Sequence, residues 1–276
     1  MENKNILLAG LPAAGKSTYI TALWAIEKDG KSNHLLSCDG LPSESSYIDG
    51  MRDNWIVFKE VRRTSFAEPQ EIILPMKSSR KGEKISLVLP DFKGEVFQRI
   101  LDNVVSDDIR EWCDKAEGIL FMLNIGNNSP EFFQEELSET TNPKVAPEKV
   151  IMTSNDITDA IKNVLLLKFL WIEMGNCPIS ICFSSWDKVD VGECLNAEQW
   201  VKENHPCVYN FIENHFSKHQ YFGISAQGVD YIDLCEGKED ELAEKTTKKE
   251  RSFVYTDKKS YDITEPIDFI VTQNED

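Results

Sequence analysis

One short segment near the start of the chain has the residue types and spacing needed to bind a polyphosphate. Residues 10–17, GLPAAGKS, fit the pattern GxxxxGK[ST]. Glycines and small residues let successive backbone N–H groups converge on phosphate oxygens at the positive end of a helix. The Lys16 ammonium group would reach the β- and γ-phosphates, and the Ser17 hydroxyl would be one ligand of Mg²⁺. The segment therefore predicts a site for a nucleoside triphosphate and magnesium.

The elements on either side place this phosphate loop where its chemistry needs it. Residues 6–9 form an apolar run typical of a buried strand, and Thr18–Glu27 carries apolar residues at helical spacing. A loop between a strand and a helix is the setting in which the pattern is informative. The residues predicted to contact phosphate are Gly10, Ala13, Ala14, Gly15, Lys16, Ser17 and Thr18.

A second candidate site follows the apolar run Ile85–Leu89. Asp91 follows this predicted strand after Pro90, and Gly94 comes three residues later, which gives the pattern DxxG. An aspartate beside the phosphate loop can hold Mg²⁺ through water, and a glycine N–H there can contact the terminal phosphate. The pattern alone is weak, because Asp-Gly turns follow many strands.

Two further predicted strands end in short polar segments. Residues 184–187, SSWD, follow the run Ile179–Phe183, and residues 225–227, SAQ, follow Tyr221–Ile224. Ligands of open α/β sheets bind at the carboxyl ends of the strands. Because the four segments occur in this order along the chain, each indicates a nucleotide-binding site more strongly than it would alone.

This order resembles the translation-factor-related class of P-loop GTPases, which carry GxxxxGK[ST], a switch threonine, DxxG, [NT]KxD and SA[KL]. The resemblance covers nearly all of the chain. Within the class, the chain is most similar to the bacterial double-GTPase group found in conflict and defence gene neighbourhoods, through residues 89–95 (LPDFKGE), 185–187 (SWD) and 261–266 (YDITEP). The resemblance implies a three-layer α/β G domain with a mostly parallel central sheet, helices on both faces, and insertions.

The resemblance also assigns the base-binding residues. Asp187 would accept hydrogen bonds from the guanine N1–H and exocyclic amine, and Ala226 would donate its backbone N–H to the guanine carbonyl oxygen. Ser185, Ser225 and Gln227 complete the predicted base site.

Several positions depart from the class pattern. Ser184 and Ser185 stand where the class has Asn or Thr followed by Lys, and Gln227 stands where it has Lys or Leu. The lost lysine stem removes apolar contacts and a charge, which would weaken guanine binding. Lys188 is one residue too late to replace it, and Asp190 competes with Asp187 for the alignment.

The predicted catalytic residues are Lys16, Thr64, Arg63 and Glu95. The resemblance makes Thr64 the switch threonine that ligates Mg²⁺ and contacts the γ-phosphate, and a merely structural hydroxyl is the alternative. Arg63, or Arg62 beside it, would neutralise charge on the transferring phosphoryl group, whereas the simpler reading is a solvated pair. Glu95 stands where small GTPases carry a water-orienting glutamine, and its negative charge predicts slow hydrolysis without a partner.

Composition excludes several other classes. The net charge of −17 opposes binding to nucleic acid and to anionic membranes. Seven cysteines without CxxC spacing are typical of reduced thiols, and neither a leader nor a membrane span is evident. These features predict a cytoplasmic protein with one G domain over residues 1–276. Acidic insertions are predicted near 127–150 and 237–262, the second containing a charged, solvated run that ends at Arg251.

The helical patterns predicted along the rest of the chain are Val96–Cys113, Ile157–Met174, Ala197–Phe216 and Glu265–Val271. The expected function is a switch that hydrolyses GTP with Mg²⁺ and signals to a protein effector or a second GTPase, through a nucleotide-dependent dimer or a hetero-oligomer. A P-loop kinase or ATPase and a non-hydrolysing nucleotide-dependent scaffold are the alternatives.

Overall fold

The computed structural model describes residues 4–28, 33–58, 72–80, 82–89, 100, 107–125, 159–189, 196–228 and 248–273. Within these residues, nine strands form one sheet in the order β2-β3-β4-β1-β5-β6-β7-β8-β9. The strands are β1 Lys4–Ala9, β2 Leu36–Cys38, β3 Ile72–Ser78, β4 Lys84–Leu89, β5 Gly118–Asn124, β6 Ile179–Ser184, β7 His219–Ser225, β8 Phe253–Tyr255 and β9 Lys259–Ser260.

The central five strands, β4-β1-β5-β6-β7, run parallel to one another. Strand β1 pairs with β4 on one side and with β5 on the other, so the order of the strands reverses its direction at β1. Antiparallel pairings extend both edges, through β3 and β2 beyond β4 and through β8 and β9 beyond β7. The carboxyl ends of the parallel strands therefore lie along one edge of the sheet, with β1 near its middle.

Helices cover both faces of the sheet. They are α1 Lys16–Glu27, α2 Ser45–Ile56, α3 Asp107–Lys115, α4 Asp159–Met174, α5 Ala197–Asn204, α6 Pro206–His215, α7 Lys248–Arg251 and α8 Glu265–Gln273. Helices α1, α2 and α8 pack on one face, and α3, α4, α5 and α6 pack on the other. The predicted three-layer α/β fold with a parallel central sheet is confirmed.

Alternation along the strands divides the core into two apolar layers. In β1, Ile6 and Leu8 face the layer beneath α1 and α2, whereas Leu7 and Ala9 face the layer beneath α3 and α4. Side chains of a strand point to opposite faces in turn, so each central strand contributes to both layers. Both faces of the central strands are buried, which explains why the sequence shows continuous apolar runs there.

Two elements differ from the sequence-based expectation. The segment predicted as one helix over Ala197–Phe216 forms two helices that meet at His205. Pro206 lacks a backbone N–H and is favourable only in the first turn of a helix, so it starts α6 and ends α5. Residues 248–262, within the predicted insertion 237–262, form α7, β8 and β9 at the sheet edge. The predicted insertion at 127–150 lies outside the described residues.

Candidate nucleotide-binding site

Two glycines of the phosphate loop lie in positions that no larger residue could fill. Gly10 has φ 143°, and a Cβ atom there would lie 2.2 Å from the carbonyl oxygen of Met122. Gly15 has φ 88°, and a Cβ atom there would lie 2.9 Å from the Cβ atom of Ser184. The loop therefore packs directly on β5 and on the end of β6.

Lys16 is held inside this loop. Its side chain is buried, and Nζ donates hydrogen bonds to the carbonyl oxygens of Gly10 at 2.7 Å and Leu11 at 2.8 Å. Helix α1 begins at Lys16 and has no acidic residue in its first turn. The positive end of the helix and the ammonium group thus lie together, an arrangement that favours a polyphosphate.

The remaining predicted phosphate contacts surround Lys16. Ala13 has a positive φ of 61°, and Ala14 is buried, with its N–H donating to the carbonyl oxygen of Leu11 at 3.2 Å. Ser17 and Thr18 are half-buried in the first turn of α1. The seven residues predicted to contact phosphate therefore lie in one segment, which runs from the end of β1 into the first turn of α1.

Asn124 is a supporting residue that sequence reasoning missed. It ends β5, and its Nδ2 donates to the carbonyl oxygen of Ala13 at 3.0 Å. The Ser185 hydroxyl donates to Asn124 Oδ1 at 3.4 Å, which joins the phosphate loop to the segment 184–187. The available signal was an amide side chain at the carboxyl end of a strand beside β1.

The two predicted base-binding segments meet in the structure. Asp187 is exposed on a short 3₁₀ helix, Trp186–Lys188, and its Oδ1 accepts a 2.6 Å hydrogen bond from the buried hydroxyl of Ser225. The Ser225 oxygen in turn accepts a hydrogen bond from the Gly228 N–H at 3.1 Å. The Asp187 carboxylate is therefore exposed to solvent, and the loop that contains Ser225 and Gly228 holds it in place.

Trp186 anchors the segment that carries Asp187. Its ring is buried against Gly223 of β7, where a Cβ atom would lie 2.0 Å from the indole. The ring also stacks on Tyr255 of β8, with centroids 5.8 Å apart, and meets Trp200 of α5 edge-on at 5.1 Å. Ser185 enters this turn with φ 64°, a conformation that costs a non-glycine residue some strain.

Residues 226–228, called the base-reading loop here after their predicted role, have a backbone that side chains of other elements hold by hydrogen bonds. The carbonyl oxygen of Ala226 accepts hydrogen bonds from Trp55 Nε1 at 3.0 Å and from the Ser252 hydroxyl at 2.7 Å. The carbonyl oxygen of Gln227 accepts one from Arg251 Nε at 2.7 Å. The Gln227 side chain is buried, and its amide atoms have no hydrogen-bond partner among the described residues.

Four of the described thiols, those of Cys38, Cys113, Cys177 and Cys182, are poorly suited to nucleophilic chemistry. Burial raises the pKa of Cys38, Cys113 and Cys177 to about 12 in each case. Burial also raises the pKa of Cys182, which lies on β6 two residues before Ser184. A thiol with a raised pKa is almost entirely protonated near neutral pH, and the thiolate is the reactive form.

Five predicted site residues lie outside the described residues. They are Arg63, Thr64, Asp91, Gly94 and Glu95. The alternatives Arg62 and Asp190 also lie outside them. The roles given to all seven stay predictions.

The fold and the phosphate loop define a P-loop nucleotide-binding protein of the three-layer α/β class. Residues 7–270 match the model of the Double-GTPase 1 family, and the chain belongs to that family. It is therefore a P-loop GTPase of the translation-factor-related class, and membership supports a GTP-binding switch. No curated protein matches the chain.

Two solved structures illustrate the matches that the chain finds among known structures. One is a bacterial selenocysteine-specific elongation factor, EF-Sec, at 12% identity and TM-score 0.41, with 90% of this chain and 30% of that one covered. The other is the SRb-GTP/SRX complex of the signal recognition particle receptor from Chaetomium thermophilum, at 11% identity and TM-score 0.39, with 88% and 99% covered. The chain thus spans about 30% of the length of the elongation factor.

No helix among the described residues is long and apolar enough to cross a membrane.

Proposed function

We propose that the protein is a guanine-nucleotide switch that binds GTP with Mg²⁺ and hydrolyses it slowly to GDP and phosphate. The observation that carries this proposal is the contact between Asp187 and Ser225 beside the phosphate loop. Segment 184–187 touches Gly15 through Ser184 and reaches Ala13 through Ser185 and Asn124. One nucleotide could therefore contact the phosphate loop with its phosphates and Asp187 with its base.

Guanine is the base that the exposed carboxylate favours. Guanine presents two neighbouring donors, N1–H and the exocyclic amine, and a carboxylate accepts both. Adenine has an acceptor at N1, so the same carboxylate would repel it. Gln227, whose side chain is buried, belongs to the same proposed site.

The residues of the phosphate loop fit a magnesium–triphosphate complex. Ser17 follows the buried Lys16 in the first turn of α1, where a hydroxyl can be one of the oxygen ligands that Mg²⁺ accepts. We propose Asp91 and Thr64 as the other protein ligands, and Gly94 as a γ-phosphate contact. The metal would neutralise charge on the β- and γ-phosphates.

For hydrolysis we propose four residues. Lys16 would neutralise charge on the transferring phosphoryl group, and Arg63 would add a second positive charge. Thr64 would fix the metal and the γ-phosphate, and Glu95 would orient the attacking water. Because the Glu95 carboxylate adds negative charge near that group, we expect slow turnover without a partner.

The proposed output is a protein contact. Loss of the γ-phosphate would release the segments that contain Thr64 and Gly94, as in other nucleotide switches. The receiver would be a protein effector or a second GTPase, in a nucleotide-dependent dimer or a hetero-oligomer. The family description, Double-GTPase 1, supports the second GTPase. We place this switch in bacterial antiphage defence, as one cytoplasmic G domain over residues 1–276.

Phosphate release under single-turnover conditions tests the proposal. The protein is mixed with GTP or ATP, with Mg²⁺ or with EDTA, and the variant Lys16→Ala serves as the inactive control. We expect slow release from GTP that needs Mg²⁺ and Lys16, and no release from ATP. Preferential release from ATP would instead support the kinase or ATPase reading. Tight GTP binding without release, even with candidate partners, would support a scaffold.

A further inference from the structure

We propose that Arg251 and Trp55 are positioning residues that hold the base-reading loop, residues 226–228, at the distance from the phosphate loop that a guanine nucleotide requires. The inference rests on the proposed function, because it concerns guanine recognition at the same site. Neither residue belongs to the nucleotide-binding motifs of the sequence. Trp55 lies at the end of α2, and Arg251 is the last residue of α7.

Arg251 joins the loop to the end of α2. Its Nε donates to the carbonyl oxygen of Gln227 at 2.7 Å, and its Nη1 donates to the carbonyl oxygen of Trp55 at 2.5 Å. The guanidinium carbon lies 4.0 Å from the ring centroid of Trp55 and 3.7 Å from that of Phe58. A buried, planar cation with two directed hydrogen bonds and two aromatic faces fixes its partners closely.

Trp55 adds a second link to the same loop. Its fully buried indole donates from Nε1 to the carbonyl oxygen of Ala226 at 3.0 Å. Two successive carbonyl groups of the loop, those of Ala226 and Gln227, are therefore fixed from one side. Ser225 precedes them and holds the carboxylate of Asp187, so a shift of the loop would disturb both halves of the base site.

Helix α2 is in turn fixed to the helix that begins at the phosphate loop. Trp24 of α1 donates from Nε1 to Asp49 Oδ1 of α2 at 2.8 Å, and the Thr21 hydroxyl of α1 contacts Met51 Sδ at 3.8 Å. The hydrogen bond from Trp24 is the main cause of a lowered pKa for Asp49, so this carboxylate stays ionised. A continuous path of contacts thus runs from the phosphate loop through α1, α2 and Arg251 to the base-reading loop.

This path gives the two residues a specific effect on binding. All nucleoside triphosphates share the phosphate contacts, whereas only guanine uses the hydrogen bonds set by residues 187 and 226. Displacing the base-reading loop should therefore weaken GTP binding and leave the weaker binding of ATP nearly unchanged. A loss of general stability would weaken both nucleotides alike.

The test compares Arg251→Gln with Arg110→Gln. Arg110 is exposed on α3, on the opposite face of the sheet from α2, where its Nε lies 3.9 Å from the Glu173 carboxylate. Competition against a fluorescent guanine nucleotide gives the dissociation constants of GTP and ATP for each variant. We expect Arg251→Gln to weaken GTP binding by about 10- to 100-fold, because buried carbonyls lose a charged donor, with ATP binding changed less than about twofold. Arg110→Gln should leave both dissociation constants unchanged.

Two results would overturn the inference: an unchanged ratio of GTP to ATP affinity in Arg251→Gln, or an equal loss of both affinities. If Arg251→Gln does not fold, Trp55→Phe decides the question, because it removes the indole donor and keeps an aromatic ring. A selective loss of GTP affinity in Trp55→Phe supports the inference, and an unchanged ratio contradicts it. A wild-type protein without preference for GTP would contradict the proposed function itself, which separates the two failures.

Discussion

The phosphate side and the base side of the candidate site are built in different ways. The phosphate loop is a single run of eight residues, and its shape follows from Gly10, Gly15 and the start of α1. The base side is assembled from β6, β7, α2 and α7, which are far apart in the chain. Its carbonyl groups are fixed by Trp55 and Arg251, outside the motifs.

The difference shows which parts of a nucleotide site tolerate sequence change. Backbone N–H groups bind phosphate, so the loop needs glycine and small residues at fixed spacing. Base recognition needs one carboxylate and a correctly placed loop, and many tertiary contacts could place that loop. In this chain Ser184 and Ser185 stand where the class pattern has Asn or Thr followed by Lys. Trp186 fixes the segment, because its ring is buried against Gly223.

The largest effect is expected on the phosphate side. Lys16→Ala should weaken the binding of GTP and ATP by at least about 100-fold, because the buried ammonium group is the one proposed to contact the β- and γ-phosphates. Titration of a fluorescent GTP analogue measures this loss, with far-UV circular dichroism as the check on folding. Lys202→Ala, which removes a lysine from α5 above the Tyr209 ring, is the control and should bind normally. A Lys16→Ala protein that keeps its affinity within about threefold would contradict this account of the loop.

A smaller and selective effect is expected on the base side. Asp187→Asn should weaken GTP binding by about 10- to 100-fold and improve the binding of xanthosine triphosphate, because an amide N–H can donate to the xanthine carbonyl. Competition titrations with both nucleotides measure the change. Asp114→Asn, at an exposed position on α3, is the matched control. If xanthosine triphosphate gains nothing, Asp187 does not read the base, and Asp190 is the next residue to test.

The packing around the base side should also make the free energy of unfolding depend on pH. Burial lowers the pKa of His205 to about 4, and its ring lies among Phe183 and Trp200, the latter in contact with Trp186. The unfolded state binds a proton near pH 6.5 and the folded state only near pH 4, so stability is lost as the pH falls through this window. The free energy of unfolding should drop by up to about 2 kcal/mol between pH 7 and pH 5.

Urea unfolding of the wild type and of His205→Gln at the two pH values measures this difference. The variant carries no titrating group at this position, so its stability should fall less on acidification. Equal losses in the two proteins would show that His205 is not the group that responds.

The smallest effect is expected from the support of the phosphate loop. Asn124→Ala removes the hydrogen bond to the Ala13 carbonyl oxygen and should cost about 1 kcal/mol, or about fivefold in affinity, for GTP and ATP alike. The titration used for Lys16 detects such a change. Asn214→Ala, which removes a similar amide bond on the outside of α6, should have no effect. A selective loss for GTP would place Asn124 on the base side instead.

Sequence patterns predicted the parts of the fold that depend on local chemistry. The apolar runs predicted the parallel strands β1, β4, β6 and β7, because strands buried on both faces must be apolar throughout. The break between α5 and α6 had a signal in Pro206 that the apolar spacing of Ala197–Phe216 obscured. Helix α2 was missed, since Gly50 and several Asp and Asn residues weaken its propensity, although Ile48, Met51 and Trp55 lie at helical spacing.

The contacts that support the base side could not be predicted in the same way. Arg251 ends a charged run that is typical of a solvated segment, and its burial depends on Trp55, distant in the chain. Asp187 and Ser225 were predicted from the order of motifs, and the structure brings their side chains into contact. Such pairs depend on strand order, which fixes the neighbours of each strand end.

The most direct test of the central claim is the nucleotide preference of the wild-type protein. A fluorescent GDP analogue bound in the presence of Mg²⁺ is displaced in turn by GTP, GDP and ATP, and the dissociation constants of the three nucleotides are compared. The account predicts that GTP and GDP compete at least about 100-fold better than ATP, because Asp187 would accept two hydrogen bonds that guanine offers and adenine does not. Equal competition by ATP would contradict it.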